Sequence, residues 1–207
     1  MRFFSAVLTK NKFSGLMAAV LVSVILMPGC DRLSVKDTFE GEVYSLTDQF
    51  SNEINFPESF QGNVMLVGYV YTHCPDICPI ITYNMRDVQR GLPDEENFML
   101  VSVSFDPDRD TPDVLYNYAE SYRVDQENWK FLTGDRQEVE SLLRKLEVQT
   151  VKTPTRFTED NRPIYFIDHT DRVTLIDKKG QIRRTYSGSE FNHEEIIEDV
   201  RILLSQS

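Results

Sequence analysis

Cysteine, histidine and tryptophan are scarce in this chain: 207 residues hold three cysteines, three histidines and one tryptophan. So few cysteines exclude a small disulfide-stapled scaffold, which needs several bridges. Nine glycines and nine prolines are too few for a collagen-like or low-complexity polymer. Basic residues are outnumbered, 22 against 33 acidic, for a formal charge of -11. A surface of that sign repels phosphate backbones, so no nucleic-acid partner is expected. Internal repeats are also lacking. Apolar residues, in contrast, are plentiful. They make up 41% of the chain and include 13 phenylalanines and nine tyrosines, which excludes wholesale disorder. The length suits one ordinary domain with an addition at one end.

That addition is legible at the N-terminus. Residues 1–29 contain Arg2, Lys10 and Lys12 and no acid. An apolar stretch follows from Leu16 to Met27, about a dozen residues, the length of a signal-peptide h-region and short of the roughly 20 needed to span a bilayer. Pro28-Gly29-Cys30 comes next, a small residue before a cysteine that resembles a bacterial lipobox. The chemistry implied is lipidation of the Cys30 thiol and cleavage before it; the alternative is an uncleaved anchor helix. Either way the rest of the chain is expected outside the cytosol, tethered at the outer, periplasmic face of a bacterial inner membrane. The expected organisation is a signal peptide at 1–29, a tether at 30–41 and a domain at 42–207. Beyond residue 29 the chain carries 19 basic and 33 acidic residues, a charge of -14. If Cys30 is acylated, the domain keeps Cys74 and Cys78, a close thiol pair in an oxidising compartment. Such a pair must be kept reduced, ligated, or used for its oxidation.

Hydrophobic periodicity then orders the domain. Glu42–Phe50 and Ile54–Phe60 read as an N-terminal hairpin or extended pair. Asn63–Tyr71 and Asn97–Phe105 are continuous apolar runs, the pattern of strands buried on both faces. Asp76–Leu92 reads as a helix stopped by Gly91 and Pro93. Thr111-Pro112-Asp113 opens another, with Thr111 suited to the cap. Trp129–Leu132 is a short strand, and Asp135–Glu147 is amphipathic. Val173–Asp177 and Gln181–Tyr186 flank a turn in a hairpin pattern, and His193–Leu204 closes the chain as a helix. Strands alternating with helices predict an α/β fold with a central mixed sheet flanked by helices and an N-terminal β extension. Residues 150–163 lack periodicity and read as a flap or a surface loop.

The chemistry concentrates in Thr72-His73-Cys74-Pro75-Asp76-Ile77-Cys78-Pro79, where a buried strand turns into a helix. The C-x-x-x-C spacing is one residue longer than that of dithiol redox motifs. Residues four apart share a helical face, so both sulfurs are expected on one side, close enough to bond each other or to grip one metal ion. Cys74 near a helix N-terminus should have a lowered pKa. Thiolates are soft ligands; a Cys-only zinc or iron–sulfur site needs four cysteines, which this chain does not have. Two thiolates and one imidazole give a three-coordinate site suited to Cu(I). Which imidazole the residues leave open. His73 adjoins Cys74 but should point away; His193 reads as a helix-start residue. His169 precedes the apolar strand at 173, and loops at such strand ends can reach the cysteine turn, with Asp168 placed to orient the ring. By composition alone His169 is an ordinary loop histidine. Asp106, Asp108 and Asp110 lack the glycine of a calcium loop and read as capping and pairing residues. Tyr116, Tyr118 and Tyr122 read as packing.

His73–Pro79 resembles the Sco/SenC family, thioredoxin-like copper-binding proteins that serve cytochrome c oxidase assembly. Ser104–Pro112 is similar to that family's SxDPxRDTP stretch, Trp129–Gly134 to its WxxLTG segment, and Asp168-His169-Thr170 with Leu175-Ile176-Asp177 to its DHS…LID stretch. Thr170 departs from the usual Ser, and Lys178-Lys179 stand where Pro-x is common before Gly180. The resemblance implies a thioredoxin-like fold with Cys74, Cys78 and His169 as copper ligands, for Cu(I) and/or Cu(II). It implies partners too: cytochrome c oxidase subunit II or its assembly factors, a thiol reductant protein, and the membrane through the anchor. Such a chain is a metallochaperone rather than a turnover enzyme. The rival expectation is an extracytoplasmic thiol–disulfide oxidoreductase, in which Cys74 attacks and Cys78 resolves and His169 is dispensable. A peroxidase-like relative is a third reading, disfavoured by the missing thiol-peroxidase loop signature.

Overall fold

A computed structural model describes residues 32–206, apart from residues 94 and 162. The expected signal peptide at 1–29 and the lipidation residue Cys30 lie outside the described residues. Along the chain run β1 (Asp37–Thr38), β2 (Tyr44–Asp48), β3 (Glu53–Phe56), a 3-10 turn at Glu58–Phe60, β4 (Val64–Val70), α1 (Ile77–Gly91), β5 (Phe98–Ser104) and α2 (Pro112–Tyr122). Then come β6 (Trp129–Gly134), α3 (Arg136–Lys145), β7 (Thr150–Lys152), β8 (Arg156–Phe157), β9 (Pro163–Ile164), β10 (Ile167–His169), β11 (Val173–Ile176), β12 (Gln181–Tyr186) and α4 (His193–Ser205). Eight strands share one sheet in the order β1-β12-β11-β4-β5-β6-β2-β3. The three central strands β4, β5 and β6 are parallel; the flanking strands pair antiparallel.

The continuous apolar run of β4 has the cause expected of it. Every residue from Val64 to Val70 is buried, because the sheet is covered on both faces. Met65, Val67 and Tyr69 join one core with Val139, Leu142 and Leu143 of α3. Val64 and Leu66 join the other, with Ile81, Met85 and Val88 of α1, Leu115 of α2 and Val200 of α4. Gly68 shares the second face, and a Cβ there would lie 2.3 Å from the Met85 sulfur. The missing side chain lets α1 sit down on the strand that leads into it. Trp129 is fully buried, stacked on Phe131, and its indole N–H donates to Ser102 Oγ at 2.9 Å, satisfying its polar edge.

Local signals mark most ends. Asp135 and Asn192 cap α3 and α4, accepting N–H bonds from Gln137 and Glu195. Thr111 occupies the cap position of α2 but makes no side-chain cap bond; Pro112 and Asp113 begin that helix. Two regions differ from expectation. Residues 32–40, read as tether, pack on the domain: Leu33 and Phe39 are buried and β1 extends the sheet edge along β12. The aperiodic stretch from 150 is an arm outside the main sheet. In it β7 pairs with β10 and β8 with β9. These strands are two or three residues long, too short for periodicity to register.

Candidate metal centre

The site forms where β4 ends. Beyond Val70 the chain turns through Tyr71, Thr72 and His73, and the Cys74 N–H donates to the Tyr71 carbonyl at 3.2 Å. The helix begins at Ile77, so Cys74 lies before it, and the sulfurs meet across the turn rather than as helical neighbours four apart. Asp76 holds the cap position without a side-chain cap bond. Instead the Cys78 N–H, in the first turn, donates to Cys74 Sγ at 3.4 Å. Cys74 is thus the acceptor at the helix start, where the positive end of the macrodipole favours a thiolate. Cys74 is half-buried and Cys78 fully buried, and both are free.

The third donor arrives from 91 residues away: His169 Nε2 lies 3.6 Å from Cys78 Sγ. His169 ends β10, and the base of the arm is pinned by Thr170 N–H to the Gln149 carbonyl and Gln149 N–H to Thr170 Oγ1, both 3.0 Å. The ring packs on Phe105, centroids 4.6 Å apart, and Phe105 packs on Tyr71. His169 Nδ1 is 2.9 Å from the Thr170 carbonyl. That bond places a proton on Nδ1 and turns Nε2 toward the sulfurs. The orienting group is therefore a backbone carbonyl. Asp168, expected in that role, is exposed, because side chains alternate along β10 and its carboxylate faces away from the ring.

Cys74 Sγ, Cys78 Sγ and the imidazole nitrogen all lie within 4.8 Å of one another. Bonds of about 2.3 Å to sulfur and 2.0 Å to nitrogen place trigonal donors roughly 4 Å apart, so these three can close on one ion with small rotations. Among the described residues this is the one group of three or more such donors. His73 is exposed, its Nδ1 3.1 Å from Thr72 Oγ1, and His193 packs at a tilt against Phe191 at the start of α4; neither joins the group. The three aspartates are occupied separately. Asp106 pairs with Arg109, Asp108 with Arg136, and Asp110 accepts from Thr72 and Ser104. Tyr118 and Tyr122 pack together, and Tyr118 OH bonds Thr82 Oγ1.

The two thiols titrate in opposite directions. The hydrogen bond from the Cys78 thiol, with further help from His169 and the Cys78 and Asp76 N–H groups, holds Cys74 down to about 3 against the opposing effect of burial. The same thiol–thiolate bond, then burial, pushes Cys78 up. At neutral pH the pair is one thiolate and one thiol sharing a proton. The arrangement can bind a soft cation after losing that proton, or attack a disulfide through Cys74.

The SCO1/SenC family model matches residues 34–205. The SCO1 protein homolog of Bacillus subtilis (strain 168) is 32% identical over 191 residues, 90% of this chain and 94% of that one. The copper-bound structure of Bradyrhizobium japonicum ScoI superposes with a TM-score of 0.67 at 29% identity, covering 78% of this chain and 97% of the other. BsSco, a member of the Sco family of cytochrome c oxidase assembly proteins in which a disulfide switch has been identified, gives 0.65 at 27% identity, covering 84% and 98%. These neighbours share the thioredoxin-like fold expected from the sequence.

Proposed function

The chain belongs to the SCO1/SenC family, and from that premise we propose that it is a membrane-tethered metallochaperone that carries one copper ion to the dinuclear site of cytochrome c oxidase. The observation that carries the reading is the convergence of His169 Nε2 on Cys78 Sγ at 3.6 Å, from 91 residues away. Two sulfurs and an imidazole are the donor set a soft, low-coordinate cation selects, and ScoI, which binds copper, is a close structural relative.

Copper is the cargo, and the residues divide the work of holding and releasing it. Cys74 offers a thiolate already formed. Cys78 gives up its proton as the ion enters and holds it from the buried side. His169, its Nδ1–H tied to Thr170, closes the third position. A three-coordinate ion leaves room for an incoming ligand, so it can pass to the recipient by ligand exchange, with no substrate bond broken. Incubating the copper-loaded reduced chain with the apo copper domain of oxidase subunit II tests the role. The recipient is expected to take up copper from the wild type and none from Cys78→Ser; equal metallation by both would contradict it.

Tethering rests on the basic–apolar–Gly29-Cys30 order of the leader; among the described residues no helix is long and apolar enough to cross a membrane. Cys30→Ser is expected to release the expressed protein from the membrane fraction, and unchanged membrane association and processing would refute lipidation. A second reading has its own support in the activated Cys74 beside a resolving Cys78. As a thiol–disulfide oxidoreductase the chain would reduce target cysteines through that pair. His169 separates the two: a His169→Ala chain that still supports oxidase assembly in cells favours thiol exchange over copper delivery.

A further inference from the structure

The buried carboxylate of Asp110 lies under the metal-binding turn and has no part in the donor set. It is fully buried. It accepts the Thr72 N–H at 3.1 Å and the Ser104 hydroxyl at 2.5 Å on Oδ2, and the Thr72 hydroxyl at 2.6 Å on Oδ1. Among the described residues no ion pair involves it, unlike Asp106 and Asp108 beside it. Burying a carboxylate without a cation is costly even when its oxygens are bonded. The N-terminus of α2, which begins two residues later, offsets part of that cost. Fold stability alone is a poor reason to keep a carboxylate here.

What it holds is specific. Thr72 stands between Tyr71, whose carbonyl takes the Cys74 N–H, and the Cys74 ligand itself. Both polar groups of Thr72 go to one carboxylate, and Oδ2 of that carboxylate also accepts from Ser104 at the end of β5. The turn carrying Cys74 is thereby tied to the neighbouring central strand rather than left to follow its own preferences. The hydroxyl, with its proton given to Asp110, also accepts the Nδ1–H of His73 at 3.1 Å, so the next residue is ordered by the same anchor. We propose that Asp110 is the positioning residue of the Cys74–Cys78–His169 centre, acting through Thr72 to set where the Cys74 sulfur stands relative to Cys78. The inference rests on the copper reading for its cargo but concerns thiol placement, which can be read without metal.

The test compares wild type, Asp110→Asn, Thr72→Val, Thr72→Ser and the Asp110→Asn/Thr72→Val double variant. Folding is checked by thermal melts, and Cu(I) affinity is read by competition with a chromophoric chelator. Asp110→Asn and Thr72→Val are each expected to weaken affinity by about ten- to a hundredfold, the usual cost of losing an outer-sphere partner. Because both act on the one Thr72–Asp110 contact, the double variant should fall well short of the product of the two single losses, and Thr72→Ser should stay within about threefold of wild type. The same proteins, free of copper, are equilibrated with dithiothreitol. Here Cys74 and Cys78 lose two electrons and their one shared proton as their disulfide forms, and oxidised dithiothreitol takes up those electrons with that proton and a second one from solvent to become the dithiol. That equilibrium constant is expected to move by about tenfold in Asp110→Asn and Thr72→Val, a shift in the middle of the range for groups coupled through a shared contact. Folded variants with wild-type copper affinity and an unmoved thiol equilibrium overturn the proposal. A wild type that binds no copper but whose thiol equilibrium moves with Asp110 overturns the copper reading and supports the positioning one; if that equilibrium stays fixed as well, both fall.

Discussion

Cys78→Ser is expected to abolish stoichiometric Cu(I) binding by the reduced chain, and His169→Ala to lower the affinity by more than about a hundredfold, beyond what loss of an outer-sphere partner costs. The ranking follows from burial and donor softness. Cys78 is fully buried and its sulfur lies 3.6 Å from His169 Nε2; a serine there offers a hard oxygen that a soft cation does not select. His169 contributes a borderline nitrogen, so its loss leaves two sulfurs that still hold copper in a weaker two-coordinate form. The effect of His169→Ala should be confined to the metal. The ring is half exposed and its main packing partner is Phe105, so the melting temperature of the metal-free chain should change little. Competition titrations against a chromophoric Cu(I) chelator measure both variants. A His169→Ala chain with wild-type affinity would remove the imidazole from the centre.

Cys74 is expected to react with iodoacetamide at a rate that is nearly flat from pH 5 to pH 8. An ordinary cysteine with a pKa of about 8.5 gains roughly a thousandfold in thiolate over much of that interval. The sign follows from the direction of the shift. Cys74 is held down to about 3, so its thiolate is complete above pH 5 and cannot increase further. The thiolate advantage at pH 5 is more than a thousandfold, but a less basic thiolate is also a weaker nucleophile by a few hundredfold over the same shift. The net rate at pH 5 should therefore exceed that of free cysteine by only about tenfold. The diagnostic feature is the missing rise, not the absolute rate. Cys78, fully buried and pushed up by its bond to the Cys74 sulfur, should stay unmodified. Alkylation followed by peptide mass mapping over that pH range decides it. A rate for Cys74 that climbs with pH like a free thiol would mean that the Cys78 thiol and N–H do not stabilise a thiolate in solution.

Much of this centre was legible before the fold was known, for reasons that differ by residue. Cys74 and Cys78 announce themselves by spacing, and β4 before them by an apolar run with no polar interruption. His169 has no local signal, because a ligand brought in across 91 residues leaves nothing in its own neighbourhood. It was accessible through the family's pattern and not through composition. The partner of its ring could not be read at all. A backbone carbonyl carries no residue signature, and Asp168 was the nearest visible carboxylate although the alternation of β10 turns it outward. The spacing of the cysteines suggested one helical face, whereas the helix starts after Cys74 and uses its sulfur as an acceptor; proline at 75 and 79 did not disclose where the helix begins. Residues 32–40 read as tether because they are mostly polar, yet Leu33 and Phe39 are buried and β1 pairs with β12. Asp110 looked like one of three interchangeable acids and differs from its neighbours only in what it faces.

The most direct test of the account is copper K-edge X-ray absorption of the reduced, Cu(I)-loaded wild-type chain, with His169→Ala alongside. One copper per chain bound by two sulfur scatterers and one imidazole nitrogen, with the nitrogen contribution gone in His169→Ala, is the predicted result. A wild-type spectrum lacking the imidazole, or one unchanged by the substitution, would contradict the three-residue centre.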